Sequence, residues 1–174
     1  SAKDFVNAQR KSQPMPSYRF FIAGIMQGSL RDLSLHSQDY RTELAQLIER
    51  YFEGAEVYDP FRHHDGSVNY TDQQGRRTFY RHNLMCRNET DVLIAFVPEA
   101  SMGTAIEMWE AYQSGAAVFV ISPIEKNWAV KYLCHAIYPT LADFELAIID
   151  GSVREAIDLI LQSRSNPTLE YLGE

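Results

Sequence analysis

Residues 91–115 read DVLIAFVPEASMGTAIEMWEAYQSG, and this stretch decides the fold. Val92 to Val97 is an unbroken apolar run closed by Pro98, which predicts a strand covered on both faces rather than one. Ser101 follows in a Ser-x-Gly-Thr turn, where a hydroxyl can cap the helix that begins there. That helix carries Glu107 in its second turn and stops at Gly115. A buried strand feeding an amphipathic helix, with one carboxylate near the seam, can hold both a sugar and a phosphate.

Outward from this seam, strand and helix signals alternate with short connections, which predicts a parallel sheet with helices on both faces. Toward the N-terminus, Tyr18 to Ile25 (YRFFIAGI) reads as a first strand without polar alternation. Gln38 to Phe52 sets Tyr40, Leu44, Leu47, Ile48 and Tyr51 at helical spacing, and Gly54 ends it before a short strand at 55–58. Phe61 to Arg76 is polar and aromatic and reads as a long recognition loop before a helix over 78–88. Toward the C-terminus the sequence predicts a strand at 116–121, a helix over 128–136, a short strand near Ile137 and Tyr138, and two helices broken at Gly151. Thr140 with Asp143, and Ser152 with Glu155, each fit an N-cap followed by an acid at the third position. The expected class is α/β, flavodoxin-like (Rossmann-like): a doubly wound sheet of about five parallel strands.

The 174 residues, 45% of them hydrophobic, suit a single domain, expected over 17–165 with a flexible arm at 1–16 and a tail at 166–174. A net charge of -7, from 16 Lys plus Arg against 23 Asp plus Glu, argues against a nucleic-acid polymer as partner. A bound phosphate would then rely on helix N-termini and backbone N–H groups. There is no long apolar run and no leader-like segment, so the expectation is a cytoplasmic chain with no membrane partner. The two cysteines, Cys86 and Cys134, lack redox or zinc spacing and read as buried thiols on helices. His63-His64-Asp65 has no second ligand cluster to support a metal, and neither metal nor cofactor is expected. Met102, Met108 and Phe79 read as packing residues.

The order of elements, together with the DVLIAF strand, the SMGTAIE turn and the AYQSG helix end, resembles the nucleoside 2-deoxyribosyltransferase superfamily. That group includes nucleoside deoxyribosyltransferases, deoxynucleoside 5'-monophosphate N-glycosidases and CMP hydrolases. The resemblance spans about residues 18–163 and is concentrated in 91–115. It implies that Glu107 attacks the anomeric carbon, or stabilises the cation formed there, and that Ser101 binds the sugar or its 5'-phosphate; Ser101 reads equally as a plain N-cap. It also implies that Gly24, Gln27, Gly28 and Ser29 form a loop against the substrate, with Gly103 at the helix entry. It implies assembly as a homodimer or larger.

Two positions depart from the family. Ile25 and Gln27 stand where relatives carry Ser and Arg, with Ser29 and Arg31 close enough to compensate. Asn83 stands where relatives carry an Asp against a sugar hydroxyl, and an amide accepts a hydrogen bond but cannot shuttle a proton. Asp59, Asp65, Asp72, His63, His64 and His82 are the candidate substitutes. Phe61, Tyr70, Phe79 and Tyr80 are candidates to stack on a base. The resulting expectation is cleavage or transfer at the N-glycosidic bond of a nucleoside or nucleotide. The alternative is a nucleotide-sensing module that keeps the pocket without turnover.

Overall fold

A computed structural model describes residues 17–26 and 35–173. The arm expected at 1–16, and the loop residues Gln27, Gly28, Ser29 and Arg31, lie outside them. Within the described residues a five-stranded sheet runs β2-β1-β3-β4-β5, every neighbouring pair parallel. The strands are β1 (Arg19–Gly24), β2 (Glu56–Tyr58), β3 (Val92–Phe96), β4 (Ala117–Ile121) and β5 (Ala136–Tyr138). This strand order is the flavodoxin-like one.

The helices are α1 (Asp39–Tyr51), α2 (Pro60–His63), α3 (Asp72–Asn88), α4 (Met102–Gln113), α5 (Trp128–Tyr132), α6 (Leu141–Ile149), α7 (Ser152–Ser163) and α8 (Pro167–Leu172). They divide the apolar content of the strands by parity, because successive side chains leave a strand on opposite faces. Phe20, Ile22, Val92, Ile94, Phe119 and Ile121 meet Leu44 and Ile48 of α1, Phe144 and Ile148 of α6, and Val153 and Ile157 of α7. Phe21, Ala23, Leu93, Ala95, Val118 and Val120 meet Cys86 of α3, Met108 and Ala111 of α4, and Val130 of α5. Runs without polar alternation were needed because both faces are covered. Each fully buried Leu, Ile or Phe contributes about 1.5–3 kcal/mol from removal of apolar surface from water.

The amino ends of the strands are fastened by Asp91. It accepts from the Arg19 backbone N–H at 2.8 Å and from Arg164 Nη1 at 2.6 Å, while Arg164 Nη2 donates to the Thr90 carbonyl at 2.7 Å. The end of α7 is thereby tied to the entrance of β3, which leaves the carboxyl ends of the strands for the site.

Several expectations need correction. The loop expected over 61–76 is largely structured: α2 and a 3-10 turn at Ser67–Asn69 occupy it, and α3 begins at Asp72, six residues early. The reason is a capping box missed in the sequence, in which the Thr71 hydroxyl accepts from the Gln74 backbone N–H while the Gln74 side chain accepts from the Thr71 N–H. Thr140 and Asp143 form the same box at α6, but Ser152 is not a cap. Gly151 occupies that position with a φ of 84°, and Ser152 turns its hydroxyl back to the Ala147 carbonyl at 3.1 Å. α5 ends at Tyr132, so Cys134 is half-buried beyond it, not in a helix, while Cys86 is buried in α3. Met102 and Phe79 are not packing residues, with 86% and 45% of their surface exposed. Residues 167–172 form α8, which packs against α4. No helix of the described residues is long and apolar enough to cross a membrane.

Candidate active site

In a sheet of this order, ligands sit beyond the carboxyl ends of the strands, where the connections leave in opposite directions. Here that point lies between β1 and β3, and a cavity of about 570 Å³ opens there. That volume suits a small molecule. Its wall is built from Gly24 and Met26 at the end of β1, Arg41 of α1, His64 and Tyr70 of the β2–α3 connection, Phe79, His82 and Asn83 of α3, and Ser101, Met102, Gly103, Thr104 and Glu107 at the start of α4.

α4 places the acid. Thr104, Met108 and Ala111 recur at spacings of four and three and form its buried stripe. Gly103 and Glu107, one turn apart, form the stripe beside it and line the cavity. Helical side chains lean toward the N-terminus, so Glu107 lies over Gly103. A Cβ at Gly103 would meet nothing within 4 Å, so a side chain there would occupy cavity, not protein. Ser101 caps the helix by accepting from the Thr104 N–H at 3.4 Å, and its Oγ lies 2.8 Å from Thr104 Oγ1.

The Glu107 carboxylate makes no hydrogen bond or ion pair among the described residues. It is half-buried and lines the cavity. Burial pushes its pKa up from 4.5 to about 7, against the opposing pull of the Arg41 charge. This carries a stability prediction. The folded protein binds that proton more tightly than the unfolded chain, so stability falls as pH rises from about 4.5 through about 7, and the penalty is complete above that. Glu107→Gln removes the penalty: its Tm should match wild type near pH 4 and exceed it at pH 8 by on the order of 5 °C. Equal differences at the two pH values in thermal unfolding would contradict the assignment.

Arg41 is 2% exposed and was overlooked in the sequence. β2 pairs with β1 only as far as Phe21, whereas β3 pairs with it as far as Gly24. The edge carbonyls beyond the end of β2 therefore need donors. Arg41 supplies them, Nη1 to the Ile22 carbonyl at 3.0 Å and Nη2 to the Gly24 carbonyl at 3.1 Å. Nη1 also pairs with Asp59 at 3.2 Å, and Nε donates to Gln38 Oε1 at 2.7 Å. The signal was present in the sequence as a cation in register with Leu44, Ala45 and Ile48 on the inner side of α1. Beside it, Tyr40 donates to the Ile25 carbonyl at 3.1 Å and stacks on Phe96. Gly24 makes room for that ring, because a Cβ there would run into it.

Of the other anticipated residues, Asp59 is buried, accepts from the Phe61 N–H at 3.0 Å as the cap of α2, and does not line the cavity. Phe61 and His63 do not line it either, and His63 stacks on Tyr58. Asn83 does: its Nδ2 donates to the Phe79 carbonyl at 2.9 Å, while its buried Oδ1 has no partner among the described residues. His64 and His82 line the same wall with ring centroids 5.1 Å apart. His64 Nδ1 lies 2.7 Å from the Tyr70 hydroxyl, and His82 Nε2 lies 3.0 Å from that of Tyr58. Burial, reinforced by the nearby charges of His64, Arg41, Arg81 and His63, lowers the pKa of His82 to about 4.

No protein-family model matches the sequence, and no curated protein matches it. Among solved structures, the chain is similar to a 2-deoxyribosyltransferase from Bacillus psychrosaccharolyticus, with 17% identity and a TM-score of 0.54 over 73% of this chain and 90% of the other. It is similar to a protein described as pilus assembly-related from Burkholderia pseudomallei, with 8% identity and a TM-score of 0.50 over 84% and 96%. A CMP N-glycosidase from Clostridium botulinum overlaps more loosely, with 22% identity and a TM-score of 0.43 over 75% and 98%, a likeness too loose to bear on function. At such identities the first two likenesses establish the fold: a flavodoxin-like α/β domain.

Proposed function

We propose that the chain cleaves or transfers at the N-glycosidic bond of a nucleoside or nucleoside 5'-monophosphate, with Glu107 as the nucleophile. One observation carries this reading: a carboxylate without protein partners among the described residues lines a cavity at the crossover of the sheet. Cleavage of such a bond passes through an oxocarbenium-like state, which an adjacent carboxylate stabilises and then captures. Water on the resulting glycosyl ester gives hydrolysis, and a second base gives transfer. Asn83, with its unpartnered Oδ1, would accept from a sugar hydroxyl. Ser101, Gly103 and Gly24, with Gln27, Gly28 and Ser29 from outside the described residues, would hold the sugar or its phosphate, and Tyr70 and Phe79 the base. The likeness to a deoxyribosyltransferase supports the same class of chemistry. No metal or cofactor enters this scheme.

The protein would act as a homodimer or larger assembly in the cytoplasm. Exposed Phe79, Tyr80 and Leu84 on α3, beside Met102, Ile106 and Trp109 on α4, support self-association. Residues 17–165 would be the working domain, with 1–16 as an arm and 166–174 as a tail whose residues 167–172 form α8 against α4.

A second reading, a nucleotide-sensing module without turnover, is favoured by Asn83, whose amide donates hydrogen bonds but cannot transfer a proton. A panel of nucleosides and 5'-monophosphates, with free base measured by chromatography for wild type and Glu107→Ala, separates the two. Base release lost in the variant supports the enzyme. Thermal stabilisation by a nucleotide with no base release, unchanged in the variant, supports the sensor and overturns the enzyme.

A further inference from the structure

A glycosidic bond to a nucleobase breaks with its electron pair on a ring nitrogen, and the base is a poor leaving group unless a proton reaches it. Resting on the glycosidase reading, we propose that His64 delivers that proton. Position eliminates the other candidates. Asp59 is consumed by Arg41 and by the cap of α2. Asp65 and Asp72 are exposed and do not line the cavity, nor does His63. Asn83 is an amide. His82 lines the cavity, but its Nε2 is spent on Tyr58 and burial keeps the ring neutral. His64 lines the cavity too, and only its Nδ1 is engaged, by the Tyr70 hydroxyl at 2.7 Å. Its Nε2 has no protein partner among the described residues. Tyr70 fixes the ring, as an orienting group does for a catalytic imidazole.

In the first step a Glu107 carboxylate oxygen bonds to C1' as the C1'–N bond breaks. The bonding pair goes to the base nitrogen, and the Nε2 proton of the His64 imidazolium passes to the base. In the second step the now neutral His64 takes a proton from water, whose oxygen bonds to C1' as the C1'–O bond to Glu107 breaks and its pair returns to the carboxylate. Substrate plus water thus yields sugar plus base, with both residues restored.

The test compares a natural nucleoside with a 4-nitrophenyl glycoside of the same sugar, whose nitrophenolate leaves without protonation. In the first turnover, before water enters, His64→Ala and His64→Gln should slow base release from the nucleoside about 100-fold or more while changing the burst of nitrophenolate by less than about threefold. Tyr70→Phe, which frees the ring that Tyr70 orients, should slow first-turnover base release while leaving the nitrophenolate burst within about threefold. Glutamine can keep a hydrogen bond to Tyr70, so it preserves the test if alanine does not fold, and thermal unfolding checks both. Equal losses on the two substrates, or no loss on either, overturn the assignment of His64. If Glu107→Ala still abolishes both reactions, only His64 is displaced. If wild type releases neither base nor nitrophenolate, the glycosidase reading falls with it.

Discussion

Replacing Glu107 with alanine is expected to lower base release by about 10³-fold or more while leaving nucleoside binding within about tenfold, because the carboxylate acts on the forming cation rather than on the resting substrate. Steady-state kcat, with ligand affinity from calorimetry, checks this. The same residue sets a pH dependence. A nucleophile must be ionised, and burial holds the Glu107 carboxyl up to about 7, so kcat/KM for a 4-nitrophenyl glycoside, whose leaving group needs no proton, should rise with pH through that value. The opposite slope would assign Glu107 as a proton donor instead. A protein that kept its activity without Glu107 would need its chemistry elsewhere in the cavity.

The second large effect concerns stability. Arg41→Ala leaves the Asp59 carboxylate buried without its cation and the Ile22 and Gly24 carbonyls without their donor. Breaking a buried pair from one side costs about 3–5 kcal/mol, which for a chain of this length lowers Tm by roughly 10 °C. Removing the carboxylate as well should recover part of the loss, so Arg41→Ala with Asp59→Ala is expected to cost less than the sum of the single changes. Strict additivity in denaturant unfolding would show that the two side chains do not act as a pair. Because Arg41 both holds the end of β1 and lines the cavity, the single variant should also weaken substrate binding.

The strand-and-helix framework was legible because its code is local. Val92 to Phe96 and Ala117 to Ile121 are continuous apolar runs, and such runs belong to strands buried on both faces. Ser101 as a cap and Gly103 one turn before Glu107 could also be placed from spacing alone. What escaped depended on partners distant in sequence. Nothing near Arg41 reveals that β2 ends early and leaves two carbonyls in need of a donor, and nothing near Asp59 reveals that it meets that arginine. The Thr71–Gln74 box was present in the sequence but masked by its polar surroundings. Among the histidines, only the folded chain separates His64 and His82, on the cavity wall, from His63, stacked outside it on Tyr58.

The central claim is a covalent bond from Glu107 to the sugar, and it can be observed directly. Wild type incubated with a 2'-fluoro-substituted nucleoside, whose fluorine slows breakdown of the intermediate, is quenched in acid, digested and analysed by mass spectrometry. The account predicts a single sugar adduct on the peptide containing Glu107, appearing with stoichiometric base release and absent from Glu107→Gln. Base release with no adduct on that peptide, or an adduct on another side chain, would contradict it.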